Sequence, residues 1–73
     1  MKSGGSRKND YTTKLALHLL DCGLDKSECA EWRKWAHRTL NTEQCLELLK
    51  LVRLATNDFT AKVALNMVKE AVS

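Results

Sequence analysis

The chain has 73 residues, of which 44% are hydrophobic and 29% charged, with no proline and three glycines. That balance excludes disordered and fibrous classes and fits one soluble globular domain. The formal charge of +3 divides into +2 over residues 1–10 (Lys2, Arg7 and Lys8 against Asp10) and +1 over the rest, so a basic face spread over the whole body is excluded and only the N-terminal arm carries a clear electrostatic signal.

The opening "MKSGGSRKND" is polar throughout. Residues 1–9 are expected to form a flexible, disordered basic tail, with a single helical domain over residues 10–73. The tail has none of the apolar run of a signal peptide or a membrane span. Three cysteines are an odd number for a secreted disulfide framework, which agrees with a reducing compartment. The expected location is intracellular, cytoplasmic or nuclear/nucleoid.

The first apolar run follows Asn9 and Asp10, either of which can cap a helix. A helix is predicted over about Tyr11–Cys22, ended by Gly23 in the left-handed conformation. The next two starts share a pattern. In "LDKSECAEW" and "LNTEQCLEL", Asp25 with Glu28 and Asn41 with Gln44 occupy the cap and third helical positions, a capping-box arrangement. Leu24 and Leu40 precede the caps and face Cys29 and Cys45 as hydrophobic staples. These signals predict helices over about Lys26–Thr39 and Thr42–Ala55. The "TND" at 56–58 starts a fourth helix, about Asp58–Val72. Glycine after position 23 is absent, so nothing interrupts these helices. Short connections make successive helices fold back, and the expected architecture is an all-α, compact four-helix antiparallel-type bundle.

In the second helix Cys29, Trp32, Trp35, Ala36 and Leu40 fall within an arc of about 140°, with Arg33, Lys34, His37 and Arg38 opposite. The tryptophans are therefore expected to pack inward, Trp32 deep and Trp35 at the margin, rather than to alternate with cations as in a base-stacking groove. Acids lead this helix and bases trail, the order its dipole favours. Lys2, Arg7, Lys8, Arg33, Lys34, His37 and Arg38 are the candidate nucleic-acid contacts.

His18 and Cys22 share a helical face at i and i+4, but zinc modules usually present two such close pairs. No metal and no cofactor is expected, and the cysteines read as buried free thiols. Nor is there a nucleophile–base constellation, a phosphate-cradling glycine loop or a carboxylate dyad. An enzyme is not expected.

More informative is the apolar excess. The fourth helix is apolar over about 200° of its circumference, against the roughly 100° stripe that faces a core. The first helix carries Leu17 and Leu20 on its far side, and the third carries Leu54 on a flank. Leu17, Leu20, Leu54, Leu65 and Val72 are the candidate partner-binding residues, for a protein partner or a homodimer. This points to a small non-enzymatic regulatory or adaptor module, with a basic arm assisting nucleic-acid contact.

A DNA-binding transcription regulator is the alternative. Residues "LALHLLDCGLDKSECAEW" resemble the first half of a helix-turn-helix, an amphipathic helix and a Gly-containing turn before a second helix. The resemblance implies DNA binding, with Arg33, Lys34, His37 and Arg38 as phosphate contacts. It departs at "WRKWAHRTL", which continues the second helix where that family turns toward its recognition helix. No membrane and no small-molecule substrate is indicated.

Overall fold

The computed structural model describes residues 7–73. They form four helices, α1 (Arg7–Cys22), α2 (Lys26–Thr39), α3 (Thr42–Arg53) and α4 (Asp58–Val72), and no strand among the described residues. The all-α bundle is as expected.

Helix α1 begins one turn before the predicted Tyr11. Arg7 and Lys8, assigned to a flexible tail, are helical, whereas Lys2 lies outside the described residues. Apolar periodicity marks where a buried face begins, and the polar first turn Arg7–Asp10 carries no such mark. The Thr12 and Thr13 hydroxyls donate to the Asn9 carbonyl over 3.1 and 2.8 Å, which satisfies the hydroxyl of fully buried Thr12.

At its other end α1 closes as expected. Gly23 has φ +110°, its N–H donates to Leu20 O and the Leu24 N–H donates to Leu19 O, each over 3.1 Å. This pair of bonds is a Schellman motif. It turns Leu24 back toward Leu19, and both side chains are buried in one core.

The three later starts differ in their capping. Asn41 and Gln44 form the predicted box, with bonds of 2.8 and 2.9 Å. Asn57 does the same with Thr60, over 2.9 and 3.3 Å. Asp25 is extended as a cap should be, yet its side chain makes no capping bond, and the Glu28 carboxylate is 3.4 Å from Lys62 Nζ on α4. The expected Asp25–Glu28 box is therefore absent. Helix α3 ends at Arg53, short of the predicted Ala55, because Leu54 N–H and Ala55 N–H donate to Leu51 O and Val52 O in three-residue steps that tighten the last turn.

Helix α1 packs on each of the other three, most extensively on α3 and α2. Its Leu15 and Leu19 meet Leu48, Leu49 and Val52 of α3, Ala61, Ala64 and Leu65 of α4, and Cys29 and Ala36 of α2 in a single cluster. The staple residues Leu24 and Leu40 are buried with it. Each fully buried leucine contributes roughly 1.5–3 kcal/mol, so the centre of the bundle dominates its stability.

One expectation fails in α4. Leu65, a candidate partner contact, is 0% exposed, while Val72 is half-buried against the core. The small residues Ala61 and Ala64 face inward with Leu65. An apolar arc this wide has more than one way to face a core, and tertiary packing decides which side wins.

Candidate docking surface

Helix α1 is covered on three sides and open on the fourth. On that open side Leu17 is 63% and Leu20 42% exposed. At the end of α3 Leu54 is 80% exposed. Three of the five predicted partner contacts are thus exposed, Val72 is half-buried and Leu65 is inaccessible.

Leu17 and Leu20 form a ridge between two valleys. One valley, of ≈ 220 Å³, lies between α1 and α2; Thr13, Ala16, Cys29 and Ala30 line it, with Lys26 and Arg33 on its α2 side. The other lies between α1 and α3, where Lys14 and Arg53 stand with His18 and Asp21. All four cations are exposed and, among the described residues, none is in an ion pair. Asp21 is the sole carboxylate lining either valley. His18 Nε2 is buried beneath the second valley with no hydrogen-bond partner.

The cations expected to meet nucleic acid are only loosely gathered. Arg33, Lys34, His37 and Arg38 are exposed along α2, as is Arg7 at the start of α1, while Lys8 is half-buried. Lys8 lies close enough to Cys45, at the start of α3, to oppose the rise in its thiol pKa. The second helix runs unbroken to Thr39, seven residues past the segment that resembles a helix-turn-helix, before the short connection to α3 at Thr42.

The tryptophans face inward less completely than predicted. Both are half-buried, edge to face with centroids 5.5 Å apart, and Lys69 Nζ sits 5.7 Å from the Trp32 ring centre. The Lys69–Trp32 approach and the Glu28–Lys62 pair are contacts that link α2 to α4 outside the core.

The cysteines are structural. Cys29 and Cys45 are buried and Cys22 is half-buried, all free. The Cys45 thiol donates to Ala36 O over 3.6 Å, tying the end of α2 to the start of α3. Cys22 Sγ reaches Ala55 O at 3.8 Å. Burial raises all three thiol pKa values; Asp21 and Asp58 add to this at Cys22, and Glu28 and Asp25 at Cys29. Thiols held protonated in this way are poor nucleophiles. Among the described residues no three His, Cys, Asp or Glu side chains are placed to hold a metal ion.

One apolar surface escaped the sequence reading. Phe59, Val63 and Met67 of α4 are 72%, 42% and 61% exposed, and their i, i+4, i+8 spacing makes a stripe on the side opposite Ala61 and Leu65. The spacing is visible in the sequence, but it belongs to the same broad arc as the buried residues. Among the described residues no helix is long and apolar enough to cross a membrane.

No family model matches this chain, and comparison with curated proteins and with solved structures gives no match.

Proposed function

We propose that the protein is a small, non-enzymatic docking module that presents the outer face of α1 to another protein. The carrying observation is the exposure of Leu17 at 63% on the helix that packs against all three others. A domain this short has few apolar side chains to spare from its core, and exposed apolar surface rimmed by charge is the usual mark of an interaction site. Leu17 and Leu20 supply the apolar centre of the surface, and Lys14, Lys26, Arg33 and Arg53 its polar rim.

The test compares capture of host proteins by the wild type and by Leu17→Asp, with circular dichroism as the control for folding. A partner held by the wild type and lost from the folded variant supports docking through α1. Capture that does not change overturns it.

A second reading, nucleic-acid binding, is favoured by the exposure of Arg33, Lys34, His37 and Arg38 along one helix. Its signature is salt dependence. Phosphate contacts by several cations lose affinity steeply as salt rises, whereas an apolar dock responds little. Absence of duplex DNA binding refutes this reading, and binding that survives reversal of Arg33, Lys34 and Arg38 refutes α2 as its contact surface.

A further inference from the structure

On the docking reading above, we infer that the valley between α1 and α2 receives an acidic amphipathic helix from a partner protein. Size is the first reason. At ≈ 220 Å³ this valley falls below the roughly 300–1,000 Å³ of small-molecule pockets, although the valley across the leucine ridge, at ≈ 630 Å³, does not. The α1–α2 valley has room for inserted side chains, not for a compact ligand.

Shape and lining come next. The valley follows two packed helices, and its lining is largely apolar, with Ala16 and the Leu17–Leu20 ridge on one side and Cys29 and Ala30 on the other. Such a lining suits leucine-like knobs at i, i+3/i+4 and i+7 of a helix laid along it.

Charge then selects the partner. Lys26 and Arg33 are seven residues apart on α2, two turns or about 10.5 Å along its axis, so they meet carboxylates two turns apart on a helix lying beside them. Across the leucine ridge, Lys14 and Arg53 serve the opposite flank. With Asp21 as the sole acid lining either valley, the rim attracts acidic helices and repels basic ones.

The same charges disfavour two other occupants. A second copy docked through this face in a two-fold arrangement would bring like charges together, because an isologous interface pairs a patch with itself. A nucleic acid would satisfy the cations but leave Leu17 and Leu20 against phosphate and sugar.

The inference is tested with the purified full chain and a synthetic helical peptide carrying leucines at i, i+4 and i+7 between flanking glutamates. A second peptide has every glutamate replaced by lysine, and duplex DNA is the third probe. The glutamate peptide is expected to bind about tenfold or more tightly than the lysine peptide at low salt, with the gap narrowing as salt rises. Lys26→Glu with Arg33→Glu should reverse that preference, and Leu17→Asp should weaken both peptides. Equal binding of the two peptides, or no change on charge reversal, overturns the acidic partner and leaves docking through α1 intact. Binding of neither peptide also overturns it, and the docking reading is then judged by host-protein capture with Leu17→Asp. DNA binding lost on charge reversal but indifferent to Leu17→Asp, without peptide binding, overturns the inference in favour of a nucleic-acid surface.

Discussion

Lys62 Nζ lies 3.4 Å from Glu28 Oε2, and this contact between α4 and α2 engages the carboxylate that the local sequence assigns to a capping box with Asp25. Both side chains are partly exposed, at 45% and 40%, so the pair is screened by water and contributes at most about 1 kcal/mol. Its structural effect is larger than its energy. Helix α2 is left without a side-chain cap, while α3 and α4 each begin with a closed box.

The stability of the helix starts should follow this division. Asn41→Ala and Asn57→Ala each remove a made cap and should cost about 1 kcal/mol, or about 4–8 °C in melting temperature for a domain of this size. Asp25→Ala should change stability by less than about 0.5 kcal/mol. Thermal melts followed by circular dichroism decide the matter, and equal losses at Asp25 and Asn41 would contradict the bonding described.

Leucines at the surface and in the core should part company on substitution with aspartate. Leu65→Asp places a charge at a fully buried site and should unfold the domain, since its cost of several kcal/mol consumes most of a small domain's stability. Leu17→Asp should stay within about 0.5 kcal/mol of wild type. Urea denaturation of the two variants measures the difference.

Gly23→Ala should destabilise by about 1 kcal/mol or more, because φ is +110° there and an L side chain resists that conformation. The cost is in the backbone. An added Cβ would meet only Asp58 Cβ, at an ordinary 3.8 Å. Gly23→Asn should recover part of the loss; urea midpoints in the order Gly, Asn, Ala would agree, and an unaffected alanine variant would not.

The thiols make stability fall in alkali. Burial raises the folded pKa of Cys22, Cys29 and Cys45, so the folded state keeps protons that the unfolded state has lost. Their contribution is therefore complete below the unfolded thiol value of about 8.5 and disappears as pH rises through the higher folded values. Urea midpoints between about pH 8 and 10 should decline less steeply in Cys45→Ala than in the wild type. Identical slopes would show that this thiol does not contribute.

Four helices, their approximate limits and the Schellman end at Gly23 were legible in the sequence because each depends on residues within a turn or two of one another. So was the burial of Leu24, Cys29, Leu40 and Cys45, since a staple is fixed by spacing from a cap. The exposed apolar side of α1 was legible in part. Leu17 and Leu20 stand opposite the apolar centre of α1, and a helix can bury only so much of its circumference.

Tertiary structure alone decided the side of α4 that meets the core. Leu65 went in and Phe59, Val63 and Met67 stayed out, because periodicity ranks faces by hydrophobicity, whereas packing ranks them by fit. It also decided that Glu28 meets Lys62 instead of capping its own helix, and that Lys14, Lys26, Arg33 and Arg53 flank the same two leucines. Those residues come from three helices, and only the folding of the chain brings them together.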